Sequence, residues 1–538
     1  MSRTEPENNA KTSSMERMSH SLLIGTGIFL SRIMGFVRQR IFGYYFGISD
    51  AADVFNSAFR IPNFLQNLFG EGALSASFIP VYARLRAEGR NKDALKVANT
   101  VLSLLTLAVS IIVAAGIMFS PLLVTLIAPG FTGDKKEYTI LLVRILFPGA
   151  GLLVLSAWCL GVLNSHRKFF LSYAAPVIWN ICIIIALVFF GRRFCSYTLA
   201  VYIAWGSVAG SALQFIIQLP AVLRLTGSIK PELDSGNESV KKVITNFFPA
   251  FVSRGVVQIS AFIDSIIASL IGSGAVAVVA CAQTIYTLPV SLFGMAVTAA
   301  ELPAMSSATG SREEIASTLR MRLEKSLVRI AFFIVPSAAA FFAFGDIITA
   351  ALYMTGRFDS TGVFFVWLTL GGASVGLLAS TFARLVSSAF YALHDTKTPF
   401  RFALIRVITA AGLSFVFSVK VPPLLGLDSV YGTAGLTLAS GIAGWVEFYL
   451  LKRSLVSVIG EFHVEKMLMF KLWSAALAGI ACGWGVKIIL GFYTHFHPAI
   501  NALLILGVFG SIYILLLFMM NNNESKAIIG RLKYLIGL

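Results

Sequence analysis

Residues 31–80 read SRIMGFVRQRIFGYYFGISDAADVFNSAFRIPNFLQNLFGEGALSASFIP, and the rest of the chain is understood outward from them. The stretch begins inside a hydrophobic segment, residues 21–45, that has the length of a membrane helix yet carries Arg32 and Arg38. A guanidinium keeps its charge at any physiological pH, so at membrane depth it needs water, a carboxylate or an anionic ligand. The same stretch supplies Asp50, Asp53 and Glu71, with Gly35, Gly43, Gly47, Gly70 and Gly72 to bend the backbone. That combination predicts a hydrated, positively charged chamber rather than a lipid-facing surface.

The composition points the same way. Hydrophobic residues make up 57% of the chain and charged ones 13%, and mean hydropathy is +0.80. No soluble domain has this balance, so the expected fold class is an all-α polytopic membrane protein. The net charge of +17 raises the question of nucleic acid. Placement of the basic residues argues against it. With both termini in the cytoplasm, about 28 Lys and Arg fall in inside loops and tails and about 7 in outside loops, the bias of cytoplasmic loops in membrane proteins. The five cysteines show no metal or redox spacing, and the six histidines are scattered, so no metal site and no disulfide framework are expected.

About 14 segments have spanning length. They lie near 21–45, 59–84, 97–127, 138–163, 170–190, 197–223, 243–272, 276–306, 327–353, 361–391, 400–419, 430–451, 468–490 and 499–520. The polar linker TGSIKPELDSGNESVKK, residues 226–242, divides the first twelve into two sets of six. The expected organisation is a disordered cytoplasmic tail (1–19), an N-lobe (20–228), a C-lobe (229–460) and two further helices with a tail (461–538). A weak repeat supports two pseudo-symmetric lobes: VLNSHRKFFLSYAAPVI (162–178) and YALHDTKTPFRFALIRV (391–407) are both short turns with a basic residue, Arg167 or Lys397, before Phe170 or Phe400. Two six-helix halves commonly enclose a transport site. Residues 311–325 read either as an interfacial amphipathic helix, with Ile315, Leu319 and Leu323 on one stripe, or as an extension of the following span.

Arg32 and Arg38 are separated by about 9 Å of helix rise and roughly 120° of turn, so a wide ligand could touch both, whereas a straight helix cannot aim both at one point. The competing role for each is an ion pair with Asp50, Asp53 or Glu71. Arg254 and Asp264 share the seventh span; Asp264 and Asp395 are candidates for holding a coupling ion, sodium or a proton, or else for bonding between helices. Glu301 and Arg384 are expected to pair between helices. The chain has no phosphate-binding G-x-x-x-x-G-K-[ST], no G-x-S-x-G and no H-E-x-x-H motif, which argues against an enzyme and against ATP as the energy source.

At SRIMGFVR (31–38), DAADVFNSAFRIPN (50–63) and GEGALSASFIP (70–80) the chain resembles the MurJ/MviN lipid II flippase family of the multidrug/oligosaccharidyl-lipid/polysaccharide exporter superfamily. The resemblance continues through LPVSLFGMAVTAAELP (288–303), GRFD (356–359) and AFYALHDTKTP (389–399). It implies a two-lobed helical fold with a central cationic cavity, and a hydrophobic groove at spans 13 and 14 for a polyprenyl tail. The substrate-binding residues it implies are Arg32, Arg38, Asp53 and Glu71. Gln39, Gln66, Asn67 and Thr284 stand where family members often carry charges, and Arg254 is the candidate to restore one of the lost positive charges.

The function so implied is translocation of lipid II, the undecaprenyl-diphosphate-linked peptidoglycan precursor, from the inner to the outer leaflet of the bacterial inner membrane by alternating access. No cofactor is expected beyond a coupling ion. Lipid II and membrane lipids are the expected partners, with other cell-wall synthesis proteins as further candidates and no nucleic acid. The alternative is an ion-coupled exporter of another lipid-linked glycan or of drugs; a pump for organic cations should have an acidic or aromatic cavity, which the deep arginines disfavour. A membrane scaffold without transport would require every inward arginine to be paired with an acid.

Overall fold

The computed structural model describes residues 30–520, except 228, 235, 494 and 495, together with 526; the side chains of 62, 70–72, 169, 173, 250, 252–261, 492 and 493 lie outside the description. The described chain is helical without strands. In order, α1 covers 30–46, and α2 covers 50–87, made of Asp50–Leu65, a π-helical segment Gln66–Leu74 and Ser75–Ala87. Then come α3 (Asn91–Met118, followed by a short helix Ser120–Ile127), α4 (Gly133–Ser165), α5 (Phe169–Phe190), α6 (Ser196–Thr226) and α7 (Glu238–Ile271). The second set is α8 (Ala275–Ser306, with π segment Val290–Met295), α9 (Arg312–Tyr353), α10 (Ser360–Ala392), α11 (Lys397–Leu424), α12 (Gly432–Ile459), α13 (Lys466–Tyr493) and α14 (Pro498–Met519).

Among the described residues, eleven helices are long and apolar enough to cross a membrane. The expected count of about 14 adds α1, α2 and α7, which are not among the eleven. α1 is described only from residue 30, and α2 carries Arg60, Asn63, Gln66 and Asn67 along its length. The protein is a multi-pass membrane protein, and eleven of the segments read from hydropathy coincide with these helices. The stripe at 311–325 belongs to α9: Ser311 closes a capping box with Glu314, the helix continues into the following span and kinks only at Phe344 (φ −130°, ψ 17°), and Leu319 and Leu323 are buried. The extension reading therefore holds, because an apolar stripe sealed inside protein is not available to a bilayer surface.

The chain divides into two compact units, Met1–Ile266 and Ile267–Leu538. The division falls within α7, later than the linker at 226–242, because much of α7 packs with the first unit. Val240 and Val243 join a core built on Phe78, Trp158 and Leu163, and Phe247 and Phe251 meet Phe69 at 5.8 and 5.1 Å between ring centroids. Within the first unit, Ser156 of α4 donates to Gln218 of α6 (3.0 Å) and accepts from Gln214 (3.0 Å), polar bonds that join helices where no water competes. Within the second, α10 and α12 cross at glycines. A Cβ added to Gly376 would lie 2.4 Å from the Cα of Gly441. α13 and α14 pack onto α9, where Tyr513 donates to the carbonyl of Phe332 (2.8 Å) and Lys487 to Asp346 (2.6 Å).

Both units contain the same turn. After α4, the N–H groups of His166, Arg167 and Lys168 donate to the carbonyls of Val162, Asn164 and Leu163; after α10, those of Leu393, His394 and Asp395 donate to Ala389, Tyr391 and Phe390. Arg167 (φ 58°) and His394 (φ 61°) are the only non-glycine residues with positive φ among the described residues. This pattern is a left-handed helix stop. It pairs Arg167 with His394, a register three residues away from the Arg167–Lys397 match suggested by composition. A second shared feature is the tripeptide Leu-Phe-Gly, at 68–70 and 292–294, which sits in the π segment of α2 and of α8.

Candidate substrate site

The site builds up from the aromatic residues of α1 and α2. Phe46 stacks on Phe42 (4.4 Å), Phe42 contacts Phe55 (5.2 Å), Phe55 stacks on Phe59 (5.2 Å), and Phe59 stacks on Trp179 of α5 (5.4 Å, planes 7° apart). Trp179 is held by its indole N–H, which donates to the carbonyl and hydroxyl oxygens of Ser207 in α6, each at 3.1 Å. Gly210 leaves the room: a Cβ there would be 2.9 Å from the indole ring. The guanidinium of Arg38 lies over both members of the last stack, 5.2 Å from the Phe59 ring and 5.5 Å from Trp179. Such contacts orient a guanidinium without neutralising it. Among the described residues Arg38 makes no ion pair, and Arg32, also without one, is exposed. Beside them, Asn180 is 5% exposed and its side-chain oxygen has no hydrogen-bond partner, near the backbone of Gly35.

Two of the three acids of the opening stretch are engaged elsewhere. Lys135, at the start of α4, donates to Asp50 at 2.6 Å and to Asp53 at 2.7 Å, and Asp53 is fully buried. Asp53 precedes Phe59 by six residues, about 9 Å along α2, so the carboxylate and Arg38 flank the same aromatic ladder without pairing. Glu71 lies in the π segment of α2 and Arg254 in α7, with side chains outside the described residues. Asp264 of α7 acts electrostatically on Arg60 of α2 within the first unit. Asp395 accepts from the backbone N–H groups of Lys397 (2.9 Å) and Thr398 (3.0 Å) in the turn that leads into α11; the Thr398 side chain first, then these backbone bonds, hold its carboxyl below the usual aspartate range. No group of three or more metal-ligating side chains occurs among the described residues. Glu301 pairs with Arg322 (3.2 Å), as expected of an acid at membrane depth.

Lys135, Phe59, Trp179 and Arg60 were not singled out from the sequence. Lys135 sits in DKKE (134–137) at the mouth of a span and looks like an ordinary loop lysine; its partners are 82 and 85 positions away. Trp179 lies in an apolar run that gives no hint of a cation over the ring. In the second unit a mostly apolar pocket of about 370 Å³ opens between α9, α10, α12 and α13, lined by Phe342, Trp445 and Trp473 together with Ala338, Ser374 and Ala476.

The family described as "Lipid II flippase MurJ" matches residues 42–504. A protein of Burkholderia cenocepacia named "Lipid II flippase MurJ" is 31% identical over 431 residues, covering 78% of this chain and 80% of that one. A "Probable lipid II flippase MurJ" of Rhizobium tropici is 30% identical, covering 86% of each. Among solved structures, "Lipid II flippase MurJ, inward closed conformation" superposes with a TM-score of 0.75 at 24% identity, over 93% of this chain and 100% of the other. An inward-facing multidrug-resistance MATE transporter shares the fold at a TM-score of 0.63 and 17% identity, over 80% of this chain and 95% of its own. With an apolar helical body, a MurJ match across most of its length and relatives at 30% identity or more, the chain belongs to the MurJ family.

Proposed function

We propose that the protein is a lipid II flippase, carrying undecaprenyl-diphosphate-linked disaccharide-pentapeptide from the inner to the outer leaflet of the bacterial inner membrane, with both termini in the cytoplasm. The observation that carries this reading is Arg38: a guanidinium on a stacked Phe59–Trp179 platform, with no acid paired to it among the described residues. A diphosphate suits such a group, since guanidinium donors match its oxygens in pairs. Arg32, two turns away, extends the positive surface toward a headgroup larger than one phosphate. Asp53 and Lys135 act as positioning residues that fix the end of α2. The apolar pocket against α13 is suited to a polyprenyl tail, which then stays out of water while the head crosses.

Alternating access follows if the arginine site opens first to one side of the membrane and then to the other. Moving two negative charges outward across a potential of about 100 mV, interior negative, supplies up to roughly 4–5 kcal/mol when no ion compensates them. Asp264 remains the candidate for a coupling ion, where a proton or sodium would compete with Arg60; Asp395 is assigned to its turn. The test is leaflet-resolved accessibility of lipid II in cells depleted of the protein. Wild type should restore outer-leaflet lipid II, and Arg38→Ala should not, although it inserts at normal levels. Full restoration by Arg38→Ala refutes the reading.

A further inference from the structure

A second group of arginines lies in the other unit and has no part in the site above. Arg384 is on α10, sharing a face with Ser380 one turn before it and Tyr391 two turns after it. Ser380 is hydrogen-bonded to the hydroxyl of Tyr286 in α8 at 2.8 Å. On the neighbouring helices, Arg406 of α11 donates through Nη1 to Glu447 of α12 at 3.2 Å; the carboxylate side chain is 9% exposed and the guanidinium 36%. Arg384 is within electrostatic reach of Arg406, Glu447, Tyr286 and Tyr391. Yet it is exposed and, among the described residues, makes no hydrogen bond or ion pair.

Two guanidiniums thus lie near a single carboxylate that is bonded to Arg406 alone, leaving a net positive charge at membrane depth. Arg384 is about 12 Å from the end of α10, and Arg406 about 13 Å from the start of α11. An arginine within a membrane helix is costly unless it meets water or an anion, and the like charge of Arg406 beside Arg384 adds to that cost. Glu447 uses one donor group of Arg406; the remaining donors, and all those of Arg384, are available to a ligand. A single carboxylate ligand would neutralise the excess charge but engage only one guanidinium fork. A diphosphate has two phosphoryl groups and can meet both.

We propose that Arg384 and Arg406 form an anion site on the second unit for a diphosphate group, with Glu447 holding Arg406 in place and restraining the site's affinity. The identity of the anion rests on the flippase reading; its place rests on the geometry. Because Glu447 withholds a donor and contributes negative charge, removing its charge strengthens the site. A residue that served structure alone would not produce a gain.

The experiment uses the full chain in lipid nanodiscs and measures binding of undecaprenyl diphosphate, undecaprenyl monophosphate and inorganic pyrophosphate to wild type, Arg384→Gln, Glu447→Gln and Arg38→Gln. Arg384→Gln should weaken undecaprenyl diphosphate on the order of tenfold, with a smaller effect on the monophosphate. Glu447→Gln should tighten it several-fold. Pyrophosphate following the same order means that the headgroup alone suffices; the same order seen with the lipid alone means that the site takes the anion only as part of a lipid. Unchanged affinity in a folded Arg384→Gln overturns the proposal. Should that variant fail to fold, unchanged or weaker binding by Glu447→Gln overturns it instead. Wild type that binds no diphosphate lipid sinks the flippase reading as well, whereas loss in Arg38→Gln with none in Arg384→Gln sinks only the second site.

Discussion

The contact between Lys135 and the two acids of α2 makes a quantitative test of what Asp53 does. Lys135 is the cation that Asp50 and Asp53 meet at 2.6 and 2.7 Å; its side chain is 14% exposed, that of Asp53 is 0% and that of Asp50 is 45%. Lys135→Met leaves the buried Asp53 without its ammonium, a change of the kind that costs about 3–5 kcal/mol. Asp53→Asn removes one charged hydrogen bond but leaves Lys135 bound to Asp50, and should cost about 1.5–3 kcal/mol. In the double variant the stranded charge is gone and Asp50 can turn to water, so its loss should fall short of the sum of the single losses by about 1–3 kcal/mol. Chemical denaturation in detergent, read by tryptophan fluorescence, gives the three differences, and outer-leaflet lipid II gives transport. A positioning role predicts that the double variant recovers stability and transport together. If Asp53→Asn abolishes transport at wild-type stability and Lys135→Met does not restore it, Asp53 contacts the substrate and the reasoning here fails.

Two further outcomes test the scaffold. Gly376→Ala should destabilise the second unit by about 1–3 kcal/mol, since its methyl would meet the backbone of Gly441 at 2.4 Å, whereas Gly371→Ala, with nothing within 4 Å, should be close to neutral; equal melting temperatures for the two would contradict the close crossing of α10 and α12. His166, in the turn after α4, bonds to the hydroxyl of Tyr82 at 3.0 Å, and burial first, then Arg86, pushes its imidazole down from 6.5 to about 4. The unfolded chain then binds the proton first, so stability should decline as pH falls from about 6.5 to about 4; a melting curve for His166→Asn with the same pH slope as wild type would show that another group is responsible.

Hydropathy exposed the helices because a bilayer demands long apolar runs, and the demand acts locally along the chain. Arg32 and Arg38 were legible for the converse reason: charge inside such a run has few explanations. Their surroundings were not legible. Whether an arginine is neutralised depends on residues far away in the chain, and Lys135 takes Asp53 across 82 positions with no motif to announce it. Glu301 and Arg384 look alike in the sequence, each a charge at membrane depth expected to pair. Glu301 finds Arg322, while Arg384 lies beside another arginine instead. Pairing is a property of packing, and periodicity places a residue on a helix face without saying what lies opposite.

The repeat carries the same lesson one level up. Composition aligned the two turns by their basic and aromatic residues, but what they share is a backbone stop with one left-handed residue, Arg167 in one turn and His394 in the other. Neither side chain is chosen for positive φ as glycine would be, so the carbonyls of the preceding helix ends must hold the conformation through the hydrogen bonds they accept. The Leu-Phe-Gly segments agree, with one difference. From the leucine to the next proline is one residue longer in α2 (68–80) than in α8 (292–303), and α2 has the longer π segment, nine residues against six. A wider helical turn accommodates an extra residue without breaking the helix. The halves are therefore related by backbone devices while their charges differ: arginines on α1 in the first, on α10 and α11 in the second. A scaffold repeated in this way can carry a cationic surface of different composition in each unit.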